Sequence, residues 1–304
     1  MAKTLWRDRN EQLDPETDYV EIVQNLTLYE FTWDITQALS FALFRTYAVP
    51  SVGRLLHRTG AFTEDVQKRY DDTALLLEAP FVHGFDSTEG KTAIRRINQM
   101  HKRYDISNED FLYVLSTFVV VPKRWLDDHG WRPLTPTELR ATVNYYRTLG
   151  RHMNIKDVPE TYEGFETLMD DYERAHFDFD TGGRKVADST LALMTSFYPA
   201  PLRRPVRVFS YALMDKPLLD AFAYPQPNAL VRAASRGAMK ARARLLRHTP
   251  SKRKPTFSAD LPRIKSYPGG YVLSELGTFA EPDAPPAAAP VAGCPVPHGA
   301  AAAT

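Results

Sequence analysis

A single cysteine, Cys294, stands among 304 residues. One thiol can form neither an internal disulfide nor a thiolate metal cage, so the fold does not depend on oxidation. Long apolar runs are also missing. The longest, Phe111 to Val121, is broken by Ser116 and Thr117 and falls well short of the ~20 residues that span a bilayer. Met1 to Asp18 mixes charges and lacks the apolar centre of a secretory signal. The expectation is therefore a cytoplasmic, soluble chain. Neither sign of charge prevails, with 38 Lys+Arg against 37 Asp+Glu, which argues against a nucleic-acid binder. Alternating strand patterns and hairpin turns are nearly absent as well.

What remains is helical periodicity. Glu21–Phe31, Asp34–Tyr47, Thr63–Glu78, Ser87–Tyr104, Ser107–Val121, Thr137–Met153, Tyr162–His176 and Arg184–Phe197 carry apolar residues at helical spacing. Start signals agree. Thr135 followed by Pro136 and Glu138 is a capping box with proline in the first turn, and Ser87 and Ser107 precede acidic residues. Stops are expected at Gly60, Gly130, Gly150 and Gly182-Gly183. The pattern predicts an all-α fold with one helical domain over residues 11–277. After Pro282 the composition turns to proline and alanine without periodicity, so residues 278–304 read as a disordered tail.

The charge is unevenly placed. Residues 201–255 hold thirteen Lys/Arg against Asp215 and Asp220, so the rest of the chain is acidic. Ala229–His248 forms a basic helix there, with Leu230, Ala233, Met239 and Leu246 available for an apolar side. Such a helix either packs as a solvated outer element against acidic neighbours or brings residues 229–254 to an anionic membrane surface.

The most informative segment is Ser87–Tyr104. Ile94, Ile97, His101 and Tyr104 share one face, which places His101 on an apolar stripe. Two readings stay open: a core histidine bonded to a carbonyl, or an axial ligand of haem or another metal. Arg95, Arg96 and Asn98 flank it and can pair haem propionates or face water. The following helix, Phe111–Val121, is apolar nearly all round and belongs at the centre of a fold. Its Ser116 and Thr117 are read as bonding back to helix carbonyls. His83 and Asp86 offer part of a non-haem iron set or a plain loop with a cap. Gly90-Lys91-Thr92 lacks the spacing and the preceding strand of a phosphate loop. His176 caps the end of its helix or packs there, while His57, His129, His152 and His248 read as surface residues. Cys294-Pro295 with His298 is either an exposed thiol or a short haem-responsive element.

Several segments resemble one family. They are Asp18-Tyr19, Leu28-Tyr29-Glu30-Phe31, Ala42 to Ser51 (ALFRTYAVPS), Arg69-Tyr70-Asp71-Asp72-Thr73, Arg96-Ile97-Asn98-Gln99-Met100-His101, Asn108 to Ser116, Pro122-Lys123-Arg124-Trp125, Trp131 to Thr135, and Leu149-Gly150 with Met153. In this order they are similar to the MpaB oxygenase family, which includes the catalytic domain of the bacterial rubber oxygenases, over residues 18 to about 200. The resemblance implies an all-helical protein with a globin-like core that binds haem b. It also implies oxidative cleavage of a carbon–carbon double bond in an isoprenoid-like or other hydrophobic substrate by dioxygen, giving carbonyl products. By position, His101 is then the axial iron ligand, with His176 in reserve. Arg96 and Asn98 become catalytic candidates, Glu78 a looser one, and Arg95 and Arg96 contacts of the cofactor. Glu30 and Arg45 are motif residues that can pair across adjacent helices. The sequence departs from the family where a further histidine is common, reading Val114-Leu115-Ser116 instead. The 111–121 helix and residues 38–44 suit the walls of an apolar channel. The rival is a non-catalytic haem- or lipid-binding protein held at a membrane by its basic helix.

Overall fold

A computed structural model describes residues 3–277, and among these residues there are helices and no strands. In chain order they are α1 (Leu5–Asn10), α2 (Tyr19–Gln24), α3 (Thr32–Tyr47), α4 (Pro50–Arg58), α5 (Ala61–Glu64), α6 (Val66–His83), α7 (Thr88–His101), α8 (Asn108–His129), α9 (Pro136–His152), α10 (Tyr162–His176), α11 (Thr181–Ser196), α12 (Arg203–Leu213), α13 (Lys216–Ala221) and α14 (Ala229–Leu246). The all-α expectation holds, as one helical domain. The tail reading for 278–304, with Cys294 and His298, lies outside the described residues.

The helix that is apolar all round, α8, runs through the middle, with α3, α9, α10 and α14 packed on it. Tyr113, Val119 and Val120 are wholly enclosed. Ser116 and Thr117 do bond back, to the carbonyls of Leu112 (2.7 Å) and Val114 (2.7 Å). A second core joins α3 and α4 to α11 and α13, and a third joins α6 and α7 to residues 264–276.

Capping follows the sequence at Ser87, Ser107 and Thr135, the last a complete capping box with Glu138. Elsewhere local signals were overruled. α6 begins at Val66 and continues through Pro80 to His83, and α8 continues through Pro122 to His129. Packing of a buried helix outweighs the loss of one amide donor. Between α2 and α3 the coil widens to a π-type turn at Asn25–Glu30, where the Phe31 amide reaches the Leu26 carbonyl (2.8 Å). Gly182-Gly183 ends nothing: Asp180 accepts both amides (2.8 and 3.0 Å) and starts α11. Their role is a close crossing. A Cβ on Gly183 would lie 2.4 Å from the Tyr47 carbonyl, and one on Gly53 would lie 2.7 Å from the Gly183 Cα.

Two other readings are corrected. Glu30 and Arg45 do not pair with each other. Arg132 takes Glu30 (2.7 Å) and Glu138 (2.6 Å), while Arg45 holds Glu173 and Asp215 (2.6 Å to the latter). His129 is buried rather than superficial, edge-on to Trp125 at 4.9 Å. On α14 the inward side is Ser235, Met239 and Ala243, with Leu246 half-buried, whereas Leu230 and Ala233 face outward. Arg242 from this helix pairs Asp34 at 2.8 Å, so part of the basic segment is an outer element tied to an acidic neighbour.

Candidate active site

An apolar cavity of about 270 Å³ lies among α3, α4, α6, α7 and α8. Its walls come from the faces that periodicity assigns to the core, such as Leu43, Leu55, Leu76, Ile97, Val114 and Phe118. The stripe on α7 delivers His101 to this wall at the last turn of the helix. The imidazole meets Phe111 edge-on at 5.4 Å, and its Nδ1 is buried without a hydrogen-bond partner. Burial first, and the Arg69 guanidinium second, pull its pKa from 6.5 down to about 4. At neutral pH the ring is uncharged and carries a free nitrogen lone pair, the form that binds a metal.

Arg69 and Thr73 share one face of α6, four residues apart, and line the same cavity. The Arg69 guanidinium donates to the Thr73 hydroxyl and lies over the Phe62 ring at 4.8 Å. Among the described residues no carboxylate comes within ion-pair distance of it, and burial lowers its pKa. A buried cation without an ion-pair partner is costly to hold, so this position is built for something other than stability. Tyr47, also in the wall, is fully buried with a hydroxyl that reaches no partner.

The remaining candidates go elsewhere. Glu78 lines an adjoining, smaller cavity of about 120 Å³, where its carboxylate accepts the Ser258 amide (2.7 Å) and burial raises its pKa. Arg96 donates from Nε to the Leu276 carbonyl (2.5 Å). Arg95 and Asn98 lie in a shallow surface depression with Lys91 and Lys102, where Asn98 donates to the His152 carbonyl (2.9 Å). None of these four lines the cavity that His101 lines. His176 is exposed on α10, stacked on Tyr172 at 4.0 Å with Nδ1 2.9 Å from its carbonyl. His83 and Asp86 are exposed too, and among the described residues no three His, Cys, Asp or Glu side chains group as a metal site. Arg69, Thr73 and Tyr47 escaped sequence reasoning, although each sits inside a segment quoted for the resemblance.

Residues 31–247 match the family described as ER-bound oxygenase mpaB/B'/rubber oxygenase, catalytic domain. The chain belongs to this oxygenase family. Curated relatives agree. The ER-bound oxygenase mpaB of Penicillium brevicompactum is 30% identical over 252 residues, covering 76% of this chain and 64% of the relative. The ER-bound oxygenase mpaB' of the same fungus is 29% identical over 248 residues, 75% and 59% of the two chains. The ER-bound oxygenase mpaB of Penicillium roqueforti is 29% identical over 222 residues, 67% and 74%. This chain thus spans less than two thirds of the length of the first two relatives. Those relatives are named as ER-bound; among the described residues here, no helix is long and apolar enough to cross a membrane.

Proposed function

We propose that this protein is a haem b-dependent oxygenase that cleaves a carbon–carbon double bond of an isoprenoid-like hydrophobic substrate with dioxygen. The observation that carries the reading is the His101 imidazole, held uncharged with a buried, unpartnered nitrogen in the wall of an apolar cavity. A buried polar atom without a partner asks for an explanation, and a neutral imidazole that would hold haem iron is one that the donor chemistry fits. When bound, haem supplies the redox chemistry with dioxygen that no side chain of this cavity supplies. The reaction balances without an external reductant: one C=C bond and one O₂ are consumed, and two C=O groups form.

The chain's own residues then have distinct tasks. His101 would hold the iron from α7. Arg69, a buried cation beside it, and Arg58 at the end of α4 are the cavity-lining partners for anionic oxygen, including propionates. They take the role for which the sequence nominated Arg95 and Arg96. Arg96 and Asn98 act as positioning residues, anchoring α7 to the Leu276 and His152 carbonyls. Leu43, Val114 and Phe118 exclude water and align the alkene. Glu78, its carboxyl pushed towards the protonated form, faces the adjoining cavity, while Asp105 and Asp110 are the acids in the wall of the His101 cavity itself.

The test is a visible absorption spectrum of the haem-loaded protein and of His101→Ala, followed by oxygen uptake with prenylated compounds. A Soret band lost or shifted in the variant, with uptake by the parent, is expected. A band indifferent to His101→Ala removes the ligand assignment, and no band at all removes the haem reading. The rival reading, a membrane-surface carrier, draws on Leu230 and Leu245, which are 78% and 71% exposed on the basic α14. A carrier returns a prenyl compound unchanged, whereas an oxygenase turns it into carbonyl products.

A further inference from the structure

Three cavities lie end to end along one face of α3. Thr32, Thr36, Leu39, Ser40, Leu43 and Tyr47 recur at three- and four-residue spacing on that face. Thr32 and Thr36 line an open groove of about 540 Å³ at the surface. Thr36 through Tyr47 line the 120 Å³ chamber, and Leu43 and Tyr47 also line the His101 cavity. Arg263 and Thr36 form a wall common to groove and chamber, and Leu43, Tyr47, Phe62, Thr73, Leu77 and Phe118 a wall common to chamber and main cavity. At 1.5 Å per residue, Thr36 to Tyr47 covers ~16 Å of α3.

The chemistry changes along this line. The groove is lined by three cations, Lys252, Arg263 and Lys265, and by no carboxylate. None of the three makes an ion pair among the described residues. Arg263 donates only a long bond to Thr36 (3.3 Å), Lys252 meets the Thr256 hydroxyl, and Lys265 lies 5.5 Å from the Phe197 ring. Deeper in, the chamber is apolar with few polar groups. Among the buried side-chain atoms that lack a partner, Thr32 Oγ lies in the groove, Thr190 Oγ and Tyr47 Oη in the chamber, and His101 Nδ1 at the end.

Resting on the oxygenase reading, we infer that the substrate is an amphiphile with an anionic headgroup: Lys252, Arg263 and Lys265 hold the head in the groove while its unsaturated apolar chain threads the chamber along α3 towards His101. Charge complementarity places the head, since a carboxylate or phosphate supplies what three cations without ion-pair partners lack. Length sets the reacting bond, because a chain anchored by its head presents the double bond that lies a fixed distance away. Leu261, Pro262, Arg263 and Lys265, which help build the groove, lie beyond the 31–247 family match. The headgroup site is thus furnished by a segment outside that match.

The experiment measures binding to the full chain by titration calorimetry with farnesoic acid, farnesyl monophosphate and methyl farnesoate, without turnover. The acid or the phosphate is expected to bind at least tenfold tighter than the ester, and the tighter of the two identifies the head. Lys252→Gln combined with Lys265→Gln changes two exposed side chains; it is expected to remove that advantage and leave the ester unchanged. Arg263→Gln is the second variant, expected to act in the same direction. Equal binding of all three compounds, or an advantage indifferent to both variants, overturns the inference. Oxygen uptake separates the two readings. Consumption with the ester as good as with the acid defeats the headgroup site alone, whereas charge-dependent binding with no oxygen consumed defeats the oxygenase.

Discussion

The two sides of α6 are built from adjacent residues and could hardly differ more. Asp71 and Asp72 turn towards the 263–277 segment and are saturated with partners. Asp71 accepts from the Lys265 and Ser266 amides (3.0 and 2.9 Å) and the Ser266 hydroxyl (2.7 Å). Asp72 accepts from the Gly277 amide (2.9 Å), from Lys68 (2.6 Å) and from the Tyr267 hydroxyl. Arg69 and Thr73, on the cavity side, have little beyond each other. Both sides are polar, Asp71 and Asp72 buried and Arg69 and Thr73 half-buried, and exposure alone does not separate scaffold from site. Satisfaction does. Where the protein completes its own hydrogen bonds, polar groups hold the fold; in the cavity wall His101 Nδ1 and Tyr47 Oη are left without a partner.

That contrast breaks most forcefully at Asp72. Asp72→Ala removes the acceptor of three donors and leaves Lys68 without its ion pair, which costs ~3–5 kcal/mol of stability by urea denaturation. A loss below ~1 kcal/mol would show that this side is not the scaffold. His101 gives the next largest effect. Its pKa is about 4 in the folded chain and 6.5 when free, so the unfolded chain binds the proton first as pH falls. Stability is full above pH 6.5 and declines towards pH 4, by ~1.4 kcal/mol for each pH step of one in that window. His101→Gln should flatten that decline in denaturation curves at pH 7, 5.5 and 4.5. Arg69→Met sharpens the comparison from the site side. Removing a buried cation with no ion pair should leave stability unchanged or raise it by ~1 kcal/mol, while oxygen uptake falls at least tenfold. A loss of 2 kcal/mol would instead make Arg69 part of the scaffold. Smallest is Leu230→Ser, on an exposed turn of α14, which should stay within ~0.5 kcal/mol in thermal melts yet weaken any binding to anionic vesicles.

Much of the frame could be read from spacing. The stripe Ile94, Ile97, His101 places the histidine on the cavity wall, and Ser87, Ser107 and Thr135 start the helices they mark. What stayed hidden has a common cause. Apolar periodicity marks faces that avoid water, and a cation such as Arg69 on such a face reads as an exposed residue. Asp71 and Asp72 bond to groups about 195 to 205 positions away, a distance at which no local pattern carries information. Gly182-Gly183 reads as a stop because glycine often is one, and only the crossing with Gly53 explains it. The periodic pattern likewise ends two helices at Glu78 and Val121, whereas packing carries them through Pro80 and Pro122. The sequence also nominated Arg95 and Arg96 from their nearness to His101 and Arg96 and Asn98 from the family motif; six and five residues before His101, the two arginines turn to other sides of α7, and Asn98 is held at the surface by the His152 carbonyl.

The fastening of α6 by residues 265–277 also dictates an order of events during synthesis. A ribosome adding roughly 5–20 residues per second emits Asp72 long before Gly277, its partner 205 positions later. For some tens of seconds the nascent chain carries Arg69, Thr73 and His101 on helices whose outer clamp does not yet exist. The wall that α6 and α7 give to the cavity is therefore fastened from outside only when residues 265–277 have left the ribosome. The last stretch of the described chain thus sets when this side of the helical domain is complete.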